Sequence, residues 1–407
     1  MNRVVVTGLG ALTPIGNSVS EYWEGLVSGK CGIDFITRFD TADFRCKLAA
    51  EIKNFDPLIR LDKATVRKTD LYTQYALYAA AEAMEDSDLE GKVVPEDFGV
   101  YFGSGVGGIN TLCAEQDVVR EAGPKKVSPQ FIPKMIINIA AGQIAIRYGA
   151  HGNSMCVSTA CATGTSAIGE AYRAIRHGYA KAILCGGAEA TVNPVAIAGF
   201  INCMALTQSE DPNAASLPFD RRRGGFVLGE GAAALVLEEY EHAKARGAKI
   251  YAEVCGYGAT CDAHHITAPD PGAVYSAKAI RDAMAGLSDA PDRIYINAHG
   301  TGTSMNDTTE TTAIKTVFGG DAKLVHISST KSMTGHLLGA AGAAEAIASI
   351  LALKNGIVPP TIHLEEPDEA CDLNYTPNEA VHTDLTLALS DSLGFGGHNA
   401  CVAFRKI

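Results

Sequence analysis

Apolar strands that end in small-residue turns and lead into helices recur along this chain, and they constrain its fold more than any other feature. Residues 3–10, RVVVTGLG, predict a buried strand that turns at glycine, and residues 250–258, IYAEVCGYG, predict another. Residues 226–238, FVLGEGAAALVLE, predict a strand, a turn and a second strand. Residues 325–353 have the same order of strand, turn and helix as residues 155–178. Two similar halves of this kind predict a duplicated α/β architecture.

The length of the chain is compatible with two such units. Its 407 residues allow two domains or one large α/β unit. A short charged helix at residues 240–247 marks a plausible boundary, so we divide the chain into residues 1–247 and 248–407. Hydrophobic residues make up 47% of the sequence, and the 42 glycines are typical of a packed globular protein with many tight turns.

Composition also excludes several classes of function. The 11 cysteines include no CxxC pair, which favours reduced thiols over a disulfide framework or a zinc site. The net charge of −12 argues against a general nucleic-acid or acidic-membrane surface. Residues 337–353 are apolar but contain Glu345 and fall short of the ~20 residues of a membrane span, so a buried helix is predicted. The first residues lack the apolar core of a signal peptide, and we therefore expect a cytoplasmic protein.

Residues 155–178, MCVSTACATGTSAIGEAYRAIRHG, are the most informative stretch. A short β-like run leads into a small-residue turn at Cys161, and an amphipathic helix buries Ile168, Tyr172 and Ile175 on one face. The helix N-terminus is expected to favour the thiolate of Cys161, which is the nucleophilic form of the side chain. The stretch therefore predicts a site for a covalent acyl thioester. The alternative is a small buried cysteine beside a helix.

A glycine loop near residue 105 carries a weaker signal. Gly103, Gly105 and Gly108 have the G-x-G-x-x-G spacing of dinucleotide-binding loops and follow a predicted strand. No second strand ends in an acidic residue at the distance that a ribose contact needs. We interpret the loop as tightly packed backbone near an active site.

Three loops of the second half carry further chemistry. His299 stands in NAHGTGT, Lys331 and His336 stand in SSTKSMTGH, and residues 392–399 read SLGFGGHN. The first two follow predicted strands, as Cys161 does, and the third is a glycine-rich turn before the last strand, so all of them are expected to meet at one end of the sheets. Taken singly, each histidine has the alternative of a satisfied structural group and the lysine that of a solvated charge.

These side chains suit carbon–carbon bond chemistry on thioesters. A thiolate can accept an acyl group, and two imidazole N–H groups can hold the carbonyl of a second thioester while it becomes an enolate. Backbone N–H groups beside Cys161 and in the GFGG turn are candidates for an oxyanion hole. No metal is needed, and His264 and His265 show no metal-ligand spacing with the cysteines.

With these motifs in place, the chain resembles the β-ketoacyl-[acyl-carrier-protein] synthases, and among them the type II condensing enzymes of bacterial and plastid fatty-acid synthesis. The motifs are STACATG with Cys161, NAHGTGT with His299, SSTKSMTGHLLGAAG with Lys331 and His336, and SLGFGGHN with Phe395. Stretches between them, such as VTGLGALTPIG and RRRGGFVLGEGA, also resemble the family, so the likeness runs nearly end to end. It implies a thiolase fold, with two pseudo-repeated halves in five α-β-α-β-α layers, and usually a homodimer.

The resemblance also implies the reaction, a decarboxylating Claisen condensation that gives a 3-oxoacyl carrier-protein thioester. Cys161 would accept the acyl chain, and His299 and His336 would stabilise the enolate that malonyl decarboxylation leaves. Lys331 would support the site electrostatically. Glu345 would pair with Lys331 or help hold a structural monovalent cation. No cofactor is implied for catalysis, since the substrates carry their own phosphopantetheine.

Binding roles follow from the same resemblance. Phe395 would gate acyl entry, and its backbone N–H would join that of Cys161 in the oxyanion hole. Thr301 and Thr303 would contact the phosphopantetheine arm. Five basic residues would dock the acidic acyl carrier protein: Lys63, Arg67, Lys68, Lys125 and Lys126. The alternative for the first three is the solvated start of a helix.

The chain departs from the family at four places. Asp391 and Leu393 stand in DSLGFGGHN where the family often has NSFGFGGTN, which also puts His398 in place of a threonine. Met204 stands where some members carry a carrier-binding arginine. Four alternatives stay open at this point: a degradative thiolase, a type III-like synthase, a non-catalytic chain-length-factor-like partner, and a ketosynthase of polyketide or other specialised synthesis. The first three are disfavoured, respectively, by the lack of a cysteine in the GFGG loop, by the Lys331 and His336 motif, and by the presence of the cysteine nucleophile.

Overall fold

The protein is described here from a computed structural model that covers all 407 residues. It contains fourteen β-strands. In chain order β1 to β14 are Val4–Leu12, Asp34–Phe35, Leu48–Ala49, Phe98–Gly103, Ser154–Met155, Ala182–Glu189, Gly231–Glu239, Ala252–Cys261, Ile294–Asn297, His326–Ser328, Ile357–Val358, Val381–His382, Leu387–Gly394 and His398–Arg405.

Thirteen α-helices alternate with these strands. In chain order α1 to α13 are Val19–Val27, Lys63–Lys68, Leu71–Ser87, Ile109–Ala122, Phe131–Met135, Ile139–Tyr148, Thr163–Arg176, Pro194–Asn202, Tyr240–Ala245, Val274–Ala283, Ser304–Phe318, Lys331–Thr334 and Ala341–Asn355. Capping residues fix several of their starts, since Ser18 and Asp70 accept hydrogen bonds from the first turns of α1 and α3. No helix is both long and apolar enough to cross a membrane.

Ten of the strands form one sheet whose two halves have the same topology. The order is β10-β9-β13-β14-β8-β1-β7-β6-β4-β5. Read outward from the centre, β1-β7-β6-β4-β5 matches β8-β14-β13-β9-β10, with antiparallel pairs near the centre and parallel pairs at the edges in both halves. The halves join where β1 pairs with β8. The predicted duplication of an α/β unit is therefore confirmed.

The helices complete five layers. Helices α3 and α6 cover the outer face of the first half, and α10 and α11 lie on the outside of the second. Helices α7 and α13 lie between the halves and pack against both. Three clusters of buried apolar side chains fill the gaps between layers, and the largest surrounds α7 and α13 and spans both inner gaps. This arrangement is the predicted α-β-α-β-α thiolase fold.

The two central helices approach each other closely because small residues face the contact. A Cβ on Gly164 in α7 would lie 2.5 Å from the backbone nitrogen of Ala343 in α13. The first thirteen residues of α13, from Ala341 to Leu353, are all buried, as the apolar run of the sequence predicts. Tight helix packing brings the N-terminal ends of α7 and α13 together, and the site is built there.

Several local predictions differ from the structure. The strands predicted at residues 3–10 and 250–258 do not stop at their glycines, because β1 continues to Leu12 and β8 continues to Cys261. Residues 226–238 contain only one strand, β7, which begins at Gly231 and is preceded by single bridges from Phe226 to Leu206 and from Leu228 to His336. The first apolar run is thus a link between loops, not a strand of the sheet. The β-like run before Cys161 is shorter and earlier than expected, because β5 ends at Met155.

Candidate active site

The predicted nucleophile, Cys161, stands on a strained turn. Cys161 is the middle residue of a short 3-10 turn, Ala160–Ala162, that leads directly into α7. Ala160 has φ of +50°, a left-handed conformation that costs a non-glycine residue on the order of 1–2 kcal/mol. Cys161 is 9% exposed and borders a pocket of about 320 Å³. The turn therefore presents the thiol at the bottom of a pocket.

Burial dominates the acidity of this thiol. It raises the pKa of Cys161 to about 11, although Lys331 and the backbone N–H of Phe395 favour the thiolate. Glu189 and Glu345 act in the opposite direction. Burial therefore opposes the preference for the thiolate that the helix N-terminus is predicted to give Cys161.

Both histidines reach the same pocket from different loops. His299 follows β9 and His336 follows α12, and their ring centroids are 5.3 Å apart with nearly perpendicular planes. The Nδ1 atoms are buried without partners, whereas neither Nε2 is buried in this way. Burial, followed by the charge of Lys331, lowers the pKa of both imidazoles well below the usual range. Both rings are therefore neutral, and each has one N–H to donate.

Lys331 and Glu345 form a buried ion pair behind the pocket. The Nζ of Lys331 donates to Oε1 of Glu345, and both side chains are at most 3% exposed. This contact agrees with the pairing that the resemblance implies. The ammonium group contributes the positive field that acts on Cys161 and on both imidazoles.

Phe395 and the two threonines line the pocket as well. Gly394 allows the GFGG loop to reach the nucleophile, since a Cβ there would lie 3.2 Å from the backbone nitrogen of Cys161. The N–H groups of Cys161 and Phe395 are thereby brought close together. Thr301 and Thr303 share a hydrogen bond of 3.0 Å between their hydroxyls, on the wall of the pocket.

Carboxylates that the sequence reasoning missed hold the site loops in place. Glu310 on α11 accepts hydrogen bonds from the backbone N–H groups of His299 at 2.6 Å and Gly300 at 2.7 Å. Glu189, at the end of β6, accepts from Gly105 at 2.7 Å and Gly339 at 3.0 Å. An acidic residue that ends a buried strand in KAILCGGAE was the available signal for Glu189.

The same contacts explain the glycine loop near residue 105. Its N–H groups at Gly105 and Val106 point to the carboxylate of Glu189. A phosphate would have to displace a buried carboxylate to bind there. The expectation of tightly packed backbone near an active site agrees with this geometry.

Several buried polar atoms near Lys331 and Glu345 have no hydrogen-bond partner within the protein. The unpartnered buried atoms are both side-chain polar atoms of Asn297, Oγ of Ser390 and Oε2 of Glu345. Asn297 and Ser390 face each other across the β9–β13 pair. No three His, Cys, Asp or Glu side chains are grouped to hold a metal ion. A mixed set of carboxylate, amide and hydroxyl oxygens nevertheless fits an oxygen-preferring cation.

The remaining predicted residues lie outside the pocket or on its rim. The five residues predicted to dock a carrier protein are exposed, and none of them forms an ion pair: Lys63, Arg67, Lys68, Lys125 and Lys126. Met204 lies on the rim with 89% of its surface exposed, and Leu393 lines the pocket. His264 and His265 are exposed and lie apart from the pocket lining.

Fold and site together define a class: a two-half α/β protein with a buried cysteine facing two neutral histidines. Family models agree, because Beta-ketoacyl synthase, N-terminal domain, matches residues 1–243 and Beta-ketoacyl synthase, C-terminal domain, matches residues 251–365. The chain belongs to the β-ketoacyl synthase family.

Similar proteins support this assignment over their full lengths. The chain is 48% identical to the 3-oxoacyl-[acyl-carrier-protein] synthase 2 of Synechocystis sp., covering 99% of this chain and 98% of that protein. A β-ketoacyl synthase structure from Burkholderia phymatum is 34% identical, with a TM-score of 0.92 and full coverage of both chains. A type II polyketide ketosynthase solved with its acyl-carrier protein is also 34% identical, with a TM-score of 0.91, covering 100% of this chain and 99% of that one.

Proposed function

We propose that this enzyme catalyses the decarboxylating condensation of malonyl-[acyl-carrier-protein] with an acyl chain held on Cys161, giving 3-oxoacyl-[acyl-carrier-protein] in fatty-acid elongation. The observation that carries the proposal is the meeting of Cys161, His299 and His336 in one pocket. The chain is 48% identical to a 3-oxoacyl-[acyl-carrier-protein] synthase 2 and 34% identical to a type II polyketide ketosynthase, which favours fatty-acid over polyketide substrates.

The first half-reaction loads the acyl chain. The sulfur of Cys161 attacks the thioester carbonyl of the acyl carrier protein, and the bond to the phosphopantetheine sulfur breaks. Because burial raises the pKa of Cys161 to about 11, its proton leaves during the attack and goes to the departing phosphopantetheine thiolate. The N–H groups of Cys161 and Phe395 hold the oxyanion of the intermediate. Phe395 also gates the entry of the chain.

The second half-reaction forms the carbon–carbon bond. N–H groups on Nε2 of His299 and His336 donate to the malonyl thioester carbonyl, and the carboxylate leaves as carbon dioxide. Its bonding electrons form an enolate, whose carbon attacks the acyl carbonyl on Cys161 and expels the cysteine thiolate. The thiolate then takes up one proton from solvent, which restores the thiol of the resting enzyme. Neutral imidazoles suit this role, since each retains a donor without carrying its own charge.

Other residues support these steps. Lys331 stabilises the negative charge that develops at the thiolate and the enolate, and Glu345 fixes its position. Thr301 and Thr303 bind the phosphopantetheine arm along the pocket wall. No cofactor takes part in the chemistry. Glu345 and the neighbouring unpartnered oxygens of Asn297 and Ser390 would hold a structural monovalent cation.

The carrier protein is the partner, and a second copy of the chain completes a homodimer. An acidic carrier suits the unpaired basic side chains of α2 and the 124–126 turn, although the enzyme itself has a net charge of −12. The homodimer proposal rests on membership of the β-ketoacyl synthase family. Eleven free cysteines suit a cytoplasmic location.

Intact-mass spectrometry of the protein mixed with a panel of acyl-carrier-protein thioesters tests the proposal. We expect a gain of one acyl group, absent in Cys161→Ala and retained in Cys203→Ala, which removes an exposed thiol at the pocket rim. The panel also ranks chain lengths. Failure to acylate with any chain from short to long would overturn the assignment.

A further inference from the structure

Phe219 is a fully buried residue whose backbone has an unusual conformation. Its φ angle is +65°, in the left-handed region that sterics disfavour for a bulky side chain. The residue belongs to the first half of the chain but packs in an apolar cluster otherwise formed by the second half. A conformation of this kind persists only where the surrounding contacts over-determine it, and such residues cluster at functional sites. The contacts of Phe219 therefore identify what the strain maintains.

The ring of Phe219 supports the loop that carries His299. Gly300, the next residue of that loop, has φ of +33°, and a Cβ placed on it would lie 3.0 Å from the Phe219 ring. The same Cβ would lie 2.6 Å from Cβ of Ser329, so the backbone at Gly300 packs against both side chains. The hydroxyl of Ser329 also donates to the carbonyl of Gly300 at 2.6 Å. Phe219 thus helps to fix the backbone directly after His299.

Phe219 is itself held by α11, the helix below the loop. Its backbone N–H donates to Oδ2 of Asp307 at 2.8 Å. Its ring stacks on Tyr375, with 3.9 Å between the ring centroids and 11° between the planes. The hydroxyls of Tyr375 and Thr311 share a hydrogen bond of 2.7 Å, and Thr311 lies on α11. Because the carboxylate that accepts the N–H of His299 is on the same helix, one element anchors the loop and its aromatic support.

We propose that Phe219 is a positioning residue for the second half-reaction, holding the loop so that the imidazole of His299 meets the malonyl thioester carbonyl. The ring stacks on Tyr375 while its edge supports Gly300, and an aliphatic side chain would let the loop shift. A displacement of about 1 Å near a reacting group can cost about 100-fold in rate. Loading of Cys161 does not use His299, so it should be insensitive to the shift. The inference rests on the proposed function for its rates but not for its geometry.

Separate measurements of the two half-reactions test the proposal. Intact-mass spectrometry follows the rate at which Cys161 takes up an acyl group, and the isolated acyl-enzyme is then mixed with malonyl carrier protein to measure the release of carbon dioxide. Phe219→Leu should load within about twofold of the wild-type rate but release carbon dioxide about 10- to 100-fold more slowly. Tyr375→Leu, which removes the other ring of the stack, should show the same split between the two rates.

Phe98→Leu is the matched control, because Phe98 is also a buried phenylalanine but starts β4 and lies outside the pocket lining. It should lower the melting temperature and leave both rates per folded molecule unchanged. Equal losses of loading and of carbon dioxide release in Phe219→Leu would indicate a general structural role and overturn the proposal. A split of the same size in Phe98→Leu would overturn it as well.

Crystal structures of the wild type and the variants report the geometry without turnover. The ring centroids of His299 and His336 should be 5.3 Å apart in the wild type, and this distance should change by about 1 Å in Phe219→Leu. Unchanged ring positions would overturn the proposal, and Tyr375→Leu decides the question if Phe219→Leu does not fold. Failure of the wild type to load or condense would instead refute the proposed function, and the ring positions would still decide the role of Phe219.

Discussion

Two turns of the protein, one in each half, share a backbone conformation and differ in what they present. Residues 160–162 form a 3-10 turn before α7, and residues 338–340 form a 3-10 turn before α13. Their first residues, Ala160 and Leu338, have φ of +50° and +48°. Cys161 and Gly339 therefore occupy equivalent positions, one in each half.

The helices after these turns continue the correspondence. Gly164 of α7 packs against the backbone of α13, and Gly342 of α13 packs against the backbone of α7, where a Cβ would lie 2.6 Å from the nitrogen of Thr165. One turn uses its central position for a nucleophile, and the other uses it for an N–H that donates to Glu189. The duplicated fold thus places the predicted nucleophile on one turn and a structural hydrogen-bond donor on the other.

The largest expected effect is on catalysis at the first turn. Cys161→Ala removes the nucleophile, so the condensation rate with acyl and malonyl carrier protein should fall by roughly 10³-fold or more. The free energy of unfolding should change by less than about 1 kcal/mol, because the thiol is small and borders a pocket. Near-normal turnover by the variant would contradict the assignment of the first turn to chemistry.

The acidity of the thiol gives the next prediction. Because burial raises the pKa of Cys161 to about 11, its alkylation by iodoacetamide should accelerate about tenfold per pH unit between pH 7 and 10. The folded pKa lies above the unfolded value of about 8.5, so the unfolded state releases this proton first and stability falls as pH rises above that value. Peptide mass spectrometry resolves Cys161 from the other thiols. A plateau below pH 9 would show that the helix N-terminus prevails over burial.

A substitution at the second turn should mainly affect stability, in contrast to Cys161→Ala. A Cβ on Gly339 would lie 2.4 Å from the nitrogen of Gly105 and 2.9 Å from Oε2 of Glu189. Gly339→Ala should therefore lower the free energy of unfolding by about 3 kcal/mol in urea titrations. Gly199→Ala is the matched control, since its Cβ would meet nothing within 4 Å and should stabilise α8 by up to about 1 kcal/mol. Equal effects of the two substitutions would refute a packing role for the second turn.

Sequence patterns predicted the duplication because buried strands and glycine turns leave a local signature. The sequence also predicted the candidate site residues, since each stands in a small-residue loop beside a strand or helix: Cys161, His299, Lys331 and His336. The sequence could not predict that Cys161 and Gly339 occupy equivalent positions, because the equivalence depends on two φ angles and on packing between distant helices.

Effects that depend on contacts between distant parts of the chain could not be predicted from the sequence either. Glu310 looks like an ordinary helix residue, and only the fold places it under the backbone of His299. The opposing effect of burial on the acidity of Cys161 was hidden for the same reason, since the depth of burial is a property of the packed molecule. Local chemistry was thus readable, whereas burial and the anchoring carboxylates required the structure.

The smallest expected effect concerns the strain that both turns share. Ala160→Gly relieves a left-handed alanine, a gain of about 1–2 kcal/mol. It also adds backbone freedom to the unfolded chain, which takes back about 0.5–1 kcal/mol. The net result should be a stability that is unchanged or raised by about 1 kcal/mol in urea titrations, with a condensation rate reduced a few-fold because the turn holds Cys161 less firmly.

Leu338→Gly is the comparison in the other half. It relieves the same strain but deletes a side chain that is 3% exposed among the apolar residues around Cys161, so it should cost about 2–4 kcal/mol. If Ala160→Gly destabilised the protein as much as Leu338→Gly, the left-handed turn would be a preferred conformation and not a strained one. If it raised stability and left the rate intact, the strain at Ala160 would have no part in positioning the nucleophile.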